Sequence, residues 1–324
     1  MSAGGEDWRP SATRERLLAR AALLARAREF FAARGLLEVD TPLLVNAPVS
    51  DVHIHSASVT LAAAPGAPLY LHTSPEYAMK RLLAAGSGDI YQVCHVVRAY
   101  ESGALHNPEF TLIEWYRLGA DLEALMSELE GLVRALLGAR APARAERVSY
   151  TEAFHRETGL DPLSAPLSEL ARAAAQEGFH GGPQTSRDEW LDFLMGARVG
   201  PRLGRGALCF VHGYPASQAA LARLDPADAR VARRFELYCE GLELANGFHE
   251  LGAADEQRER FLRDNEERRR RHLPLAPLDE RLLAALASGL PDCAGVALGF
   301  DRTLMLATGA THIDQVLAFP TARA

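Results

Sequence analysis

Residues 94–117, CHVVRAYESGALHNPEFTLIEWYR, narrow the choice of fold more than any other part of the chain. Two stretches of alternating polar and apolar residues flank a polar loop, a pattern that predicts two antiparallel strands joined around Glu101 and Gly103. Counting by twos from His106 along the second strand places one set of residues on a common face: Pro108, Phe110, Leu112, Glu114 and Tyr116. A surface strand rarely carries a ring, a carboxylate and a phenol on one side, so we expect this face to line a ligand site.

Hydrophobic periodicity and capping residues predict further elements along the chain. Helices are expected over residues 13–34, 73–86, 121–138 and roughly 166–200. Residues 235–251, FELYCEGLELANGFHEL, predict two strands joined near Glu240 and Gly241. Asp301 is expected to cap a final helix that ends at Gly309.

Composition excludes several classes of protein. The net charge is −7, and neither an 18-residue apolar run nor a signal pattern is present, so we expect a soluble cytoplasmic protein without membrane contact. Four widely spaced cysteines without a C-x-x-C pair predict reduced thiols. Acids interleave with the basic run at 268–271, which predicts a solvated helix. Lys80 is the only lysine, and both a functional role and a chance remnant of an arginine-biased sequence remain open.

Three separated segments resemble the motifs of class II aminoacyl-tRNA synthetases. Residues 28–44, REFFAARGLLEVDTPLL, resemble motif 1; Arg98 with HNPEFT at 106–111 resembles motif 2; ALGFDR at 297–302 resembles motif 3. Within this class, TSPEYAMKRLL at 73–83 and ELANGFHEL at 243–251 are similar to lysyl-tRNA synthetase. Closer still are the stand-alone paralogues that ligate (R)-β-lysine to elongation factor P, through PASQAALA at 215–222, the segment 237–251 and PDCAGVALGFDR at 291–302.

The resemblance implies a fold and an assembly. The expected fold is α+β, an antiparallel β-sheet flanked by helices. We expect residues 1–324 to form a single catalytic domain with a helical insertion around 160–205. Motif 1 forms the subunit interface in this class, so a homodimer is also expected.

ATP and Mg²⁺ are the cofactors that the resemblance implies. Adenylation is an attack of a carboxylate on the α-phosphate of ATP, so negative charge must be neutralised on both reactants. The expected catalytic residues are Arg98, at the α-phosphate and substrate carboxylate, and Arg302, at the γ-phosphate. The remaining ATP-binding residues are expected to be Glu101, His106, Phe110 and Glu236, with Phe110 under the adenine ring. Glu236 and Glu243 resemble the family's metal ligands, and a strand bulge near residues 245–247 would bring Glu243 into phase.

A second group of residues is expected to bind the amino acid. These residues are Glu76, Glu114, Tyr116, Asn246, Phe248, Glu250 and Ala297. Each buried ammonium group requires a carboxylate or a comparable acceptor nearby. Three acids around one cavity repel each other, which favours a dication and so predicts a diamino acid. The resemblance implies that this ligand is (R)-β-lysine or another lysine-like diamino acid.

Two positions depart from the family pattern. The acid of motif 2 normally follows its arginine by two residues, whereas Ala99 and Tyr100 separate Arg98 from Glu101. This shift leaves the role of Glu101 at the adenine amino group open. Lysyl-tRNA synthetases carry glycine where this chain has Ala297, and one added methyl in a tight pocket is worth about 1–3 kcal/mol of discrimination.

The acceptor is expected to be a protein. The motif 1 helix is predicted from residue 13, which leaves no room before it for the anticodon-binding β-barrel of lysyl-tRNA synthetase. We therefore expect transfer to a lysine side chain of elongation factor P and no stable binding of tRNA. A truncated lysyl-tRNA synthetase that acts on tRNA, and a non-catalytic synthetase-like binding module, remain the alternatives.

Overall fold

Eight strands form the main sheet of the computed structural model, which describes residues 8–62, 64–182 and 185–324. The strands in this part of the chain are β1 Leu37–Glu38, β2 Leu44–Val45, β3 Ser58–Leu61, β4 Ala64–Leu71, β5 Ile90–Val97, β6 Glu109–Leu118, β7 Arg144–Ser149, β8 Ala207–Pro215, β9 Val231–Cys239, β10 Leu242–His249 and β11 Cys293–Gly299. The α-helices are α1 Arg14–Ala32, α2 Glu76–Ala84, α3 Leu122–Leu137, α4 Tyr150–Thr158, α5 Leu167–Gln176, α6 Arg187–Leu194, α7 Ala254–Arg270, α8 Glu280–Gly289 and α9 Phe300–Thr308.

The main sheet is antiparallel except at its two edges. Its strand order is β1-β5-β6-β11-β10-β9-β8-β7, and only the β1–β5 and β7–β8 pairs are parallel. A small antiparallel sheet, β2-β4-β3, stands apart from it. The predicted α+β fold, an antiparallel sheet flanked by helices, is therefore confirmed.

One face of the main sheet carries the largest hydrophobic core. Helices α1, α3 and α9 pack there, and α3 contributes leucines at helical spacing: Leu125, Leu129, Leu132 and Leu136. Trp115 of β6 and Val296 of β11 point into this core. Because side chains alternate along a strand, the neighbouring residues Glu114 and Ala297 point to the opposite face.

Local capping and turn residues explain where the predicted elements begin and end. Thr13 caps α1, and the chain leaves this helix through Gly35 at a φ of 75°. Between β9 and β10, Glu240 and Gly241 both have positive φ, as a tight two-residue hairpin turn requires. These boundaries confirm the predicted helix at 13–34 and the predicted hairpin. The helical region expected over 166–200 is divided into α5 and α6, with α6 continued by a π-helical turn at Met195–Val199.

Two expectations are wrong. Gly299, and not Asp301, occupies the position before α9, and the Asp301 side chain instead accepts hydrogen bonds from the Thr111 N–H at 2.6 Å and from Arg20 at 2.5 Å. The predicted solvated helix is correct for Arg269 and Arg270, which are exposed, but wrong for Arg268. Arg268 is buried and donates hydrogen bonds to the carbonyl oxygens of Ser50, Asp51 and Pro274, because α7 packs against the loop before β3.

Within the described residues, no helix has the length and the apolar character that crossing a membrane requires.

Asp301 joins α1, β6 and α9 through its carboxylate, so its loss should destabilise the fold. Replacing it with alanine leaves the Thr111 N–H without an acceptor and the Arg20 guanidinium without a counter-ion. We expect Asp301→Ala to lower the free energy of unfolding by about 3 kcal/mol in urea denaturation. The control is Asp314→Ala, which removes a half-exposed carboxylate and should change stability by less than about 0.5 kcal/mol. Equal effects of the two substitutions would contradict the assignment.

Candidate active site

The register of four central strands brings four predicted residues into one row. Glu236 of β9 is the partner of Asn246 of β10, Asn246 is the partner of Ala297 of β11, and Ala297 is the partner of Glu114 of β6. Directly opposed residues of neighbouring strands point to the same face of a sheet. Residues from three distant segments therefore line one surface, on the face opposite the large core.

A second row lies beside the first and includes a residue that the sequence analysis missed. Phe248, Gly295 and Tyr116 are successive partners across β10, β11 and β6. A Cβ atom on Gly295 would lie 2.3 Å from Tyr116 Cε1 and 2.7 Å from Glu250 Oε1. Only glycine therefore allows the phenol and the Glu250 carboxylate to lie against β11. In the sequence, Gly295 lies two residues before Ala297, and this spacing indicates that both residues share the pocket face of β11.

Acidic side chains converge over this second row. Glu114 is buried and accepts hydrogen bonds from Tyr116 Oη at 2.8 Å and from Ser74 Oγ at 2.7 Å. Ser74 also accepts the Glu76 N–H at the start of α2, so it fixes both acids. Sequence reasoning did not identify Ser74 as a residue that contacts Glu114.

Lys80 lies inside the same cluster. Its Nζ atom is 2.7 Å from Glu76 Oε1 and 2.6 Å from Glu250 Oε2, and its side chain is only 1% exposed. The position one turn after Glu76 on α2 brings the ammonium group back towards that acid. The structure thus places the one lysine of the chain between two predicted substrate-binding residues.

Burial makes the acids of this pocket harder to ionise. Burial and then the Glu76 carboxylate raise the pKa of Glu114 to about 7. Burial also raises the pKa of Glu250, although Lys80 opposes this shift. Glu114 and Glu250 therefore hold protons more readily than exposed carboxylates do, and a ligand with two ammonium groups would displace these protons.

The predicted phosphate-binding residues lie around the loop that joins β5 to β6. Arg98 Nη1 is 3.2 Å from Glu101 Oε1, and the guanidinium carbon is 5.1 Å from the ring centroid of Phe110. The Nε atom of Arg98 is buried without a hydrogen-bond partner in the described part of the chain, which suits a group that meets an anionic ligand. Tyr100 occupies the sequence position at which the family pattern has the acid. It is 80% exposed, and its ring makes an edge contact with the ring of His55.

Arg302 connects that loop to the start of β10. Its Nη2 atom is 2.5 Å from His106 Nε2, and its Nη1 atom donates to the Glu243 carbonyl oxygen at 2.9 Å. Burial and the neighbouring Arg302 lower the pKa of His106, which favours a neutral imidazole that accepts a hydrogen bond from the guanidinium group. Arg302 and His106, which were both predicted to bind phosphate, therefore lie in contact.

Glu236 and Glu243 could bind magnesium, because a magnesium site needs only one or two protein carboxylates when ATP and water supply the other ligands. An irregularity in the β9–β10 pairing falls between Glu243 and Ala245, slightly earlier than the predicted bulge. Burial and the Glu236 charge raise the pKa of Glu243 to about 7, although Arg302, Arg98 and Arg234 oppose this shift. In the described residues no group of three or more His, Cys, Asp and Glu side chains surrounds a metal position. ATP oxygens and water would have to complete the coordination, as is usual for Mg²⁺.

Arg234 is a further site residue that sequence reasoning missed. It donates to Glu236 Oε1 at 2.6 Å, to Asn246 Oδ1 at 3.3 Å and to the Gln218 carbonyl oxygen at 2.7 Å. The other Glu236 oxygen accepts the Tyr238 hydroxyl at 2.7 Å. Because both Glu236 oxygens are occupied by donors, Glu243 is the freer oxygen ligand. The alternating spacing of 234, 236 and 238 was the signal available in the sequence.

The raised acid pKa values predict that binding of a diamino acid depends on pH. At pH 6 Glu114 and Glu250 hold protons that a dication must displace, whereas at pH 8 more of each group is ionised. The dissociation constant of a lysine-like ligand should therefore fall about tenfold or more between pH 6 and pH 8. Calorimetry in buffers of different ionisation enthalpy should show proton release on binding. The dissociation constant should depend less on pH in Glu114→Gln. A dissociation constant that does not change with pH in the wild type would refute the prediction that the pocket acids are protonated.

Comparisons with known proteins identify the family of this chain. Residues 6–323 match the family model described as tRNA synthetases class II (D, K and N). A protein of Vibrio cholerae named elongation factor P (R)-β-lysine ligase is 49% identical over 323 residues, which cover 98% of this chain and 99% of that protein. Proteins of the same name from Yersinia enterocolitica and Pasteurella multocida are 50% and 49% identical, over 98% and 97% of both chains respectively. The chain therefore belongs to the class II tRNA synthetase family.

Proposed function

We propose that this protein is a ligase that activates (R)-β-lysine with ATP and transfers it to a lysine side chain of elongation factor P. Relatives of nearly equal length and about half identical sequence carry this name. The observation that carries the proposal is the buried acid cluster of Glu76, Glu114 and Glu250 on the sheet face that also bears Glu236 and Ala297. Such a cluster suits an amino acid with two ammonium groups.

In the first step, a substrate carboxylate oxygen attacks the α-phosphorus of ATP and pyrophosphate leaves. Arg98 would neutralise charge on the attacking carboxylate and the α-phosphate, and Arg302 with His106 would bind the outer phosphates. Phe110 would support the adenine ring, with Glu101 beside it. Magnesium, held by Glu236 and Glu243 when bound, would offset the phosphate charge.

In the second step, the neutral ε-amine of the acceptor lysine attacks the acyl carbon of the adenylate. An amide bond forms, AMP leaves, and the proton of the amine passes to solvent. Glu76, Glu114, Tyr116, Asn246, Phe248 and Glu250 would hold the diamino acid during both steps. The names of the relatives favour the protein acceptor over the tRNA alternative, because the acidic pocket would contact only the amino acid.

The proposal includes the organisation of the chain. Residues 1–324 would act as one catalytic domain, with the helices around 160–205 as an insertion and a homodimer formed through the motif 1 segment. The site would work in the cytoplasm, where translation factors function. Neither the truncated tRNA enzyme nor the non-catalytic module is favoured by any particular contact.

Pyrophosphate exchange tests the activation step. The wild type should catalyse ATP–pyrophosphate exchange with (R)-β-lysine, and Arg302→Ala should reduce this activity by at least about a hundredfold. Arg281→Ala, at an exposed position on α8, is the control and should retain activity. Thermal unfolding monitors the fold, because Arg302 also donates to backbone oxygens. Near-normal exchange in a folded Arg302→Ala protein would exclude its phosphate role.

The transfer step is measured with purified elongation factor P and tRNA as competing acceptors. Intact mass followed by peptide mapping should locate one acyl group on a lysine of the factor, with none on tRNA. Acylation of tRNA alone would support the truncated synthetase instead.

Ala297 offers a test of isomer choice. Its partners Asn246 and Glu114 place its methyl group on the pocket face, where it would crowd an α-ammonium group more than a β-ammonium group. Ala297→Gly should shift the ratio of kcat/KM towards α-lysine by about tenfold, or about 1.4 kcal/mol. Both isomers must be assayed on both proteins. An unchanged ratio would move isomer choice elsewhere, with residues 218–222 the next candidate.

A further inference from the structure

Lys80 is a buried cation that contacts two of the three acids proposed to bind the substrate. Its side chain is 1% exposed, and its ammonium group contacts Glu76 on its own helix and Glu250 after β10. The other 34 basic residues of lysine and arginine type are all arginines. A compact ammonium group on a flexible stem can reach between two carboxylates in a space too small for a planar guanidinium.

We propose that Lys80 is a positioning residue that orients Glu76 and Glu250 and sets the charge of the amino-acid pocket. With Glu76, Glu114 and Glu250 ionised, three carboxylates and one fixed ammonium leave two negative charges. The two ammonium groups of a diamino acid balance these charges. The inference rests on the proposed function, because it assigns Lys80 a role in recognising that substrate.

Stability alone does not explain this arrangement. Two charges removed from water cost several kcal/mol each, and a well-packed hydrophobic residue is often as stable as a buried ion pair. Met79 and Leu83, the neighbours of Lys80 in the buried part of α2, show that the helix can bury apolar side chains there. A charge in this position therefore points to a requirement of the pocket.

In the part of the chain that the structure describes, the groups that interact electrostatically with Lys80 come from α2, β6, the end of β10 and β11. They are Glu76, Glu114, Glu250 and Cys293. The two paired carboxylates raise the pKa of Lys80 even though burial alone would lower it. The amine remains protonated and enclosed, so it cannot attack an activated acyl group itself.

The test compares Lys80→Met, which keeps the length and removes the charge, with Arg81→Met on the exposed side of the same helix. Without the internal cation, Glu250 ionises less readily, and both Glu76 and Glu250 lose a contact that orients them. Lys80→Met should raise the KM for (R)-β-lysine at pH 7 by at least tenfold and leave the KM for ATP within twofold. The rising limb of its kcat/KM profile should move to higher pH, whereas Arg81→Met should match the wild type.

A second variant protects the test against a folding defect. If Lys80→Met unfolds, Lys80→Ala assayed with and without propylammonium replaces it, and the small cation should restore binding where propanol of similar size does not. Equal restoration by both additives would assign Lys80 to packing and overturn the proposal. So would a folded Lys80→Met protein with wild-type KM and pH profile, or an equal loss for ATP and the amino acid.

Two further outcomes separate the claims. If the wild type activates no diamino acid, the proposed function fails and the role of Lys80 fails with it. If the wild type is active and Lys80→Met behaves as the wild type, only the role of Lys80 is lost. Intact-mass analysis after incubation with ATP and (R)-β-lysine should show no acyl group on this chain, and an adduct on Lys80 would overturn its assignment as a protonated positioning residue.

Discussion

The antiparallel register of β9, β10, β11 and β6 is the constraint on which the candidate site depends. It aligns Glu236, Asn246, Ala297 and Glu114 across the sheet, while the alternate residues bury the core beneath α1, α3 and α9. A slip of one residue in any of these strands would exchange the two faces and place acids in the core. Packing of the core and assembly of the site therefore require the same register.

The site separates two kinds of charge along this surface. Carboxylates at the Glu114 and Glu250 end are buried and resist ionisation, which prepares them for a ligand that brings positive charge. Arginines at the other end, Arg98 and Arg302, suit the phosphates of ATP. Attack of a carboxylate on a phosphate needs this division, because the ammonium groups and the phosphates of the two substrates must be held apart while the reacting atoms meet.

Much of this arrangement was predictable because it depends on local patterns. Alternation along β6 predicted that Glu114 and Tyr116 share a face, and the tight turn at Glu240 and Gly241 was visible in the sequence. The roles assigned to these residues remain predictions. Asp301 was misplaced because a residue near a helix start looks like a cap, whereas its partners, Arg20 and Thr111, are distant in sequence. Arg268 was misjudged for the same reason, since a packed loop covers it.

Sequence alone determined the fold class, the family resemblance and the residues able to carry the chemistry, because these follow from periodicity and motifs within short segments. Tertiary structure alone decided which side chains meet. The close approach of Tyr116 and Glu250 over Gly295 depends on strand pairing, and the contacts of Lys80 depend on the packing of α2 against the end of β10. Burial likewise raises the pKa of the pocket acids, and burial is a property of the folded surroundings that no single segment contains.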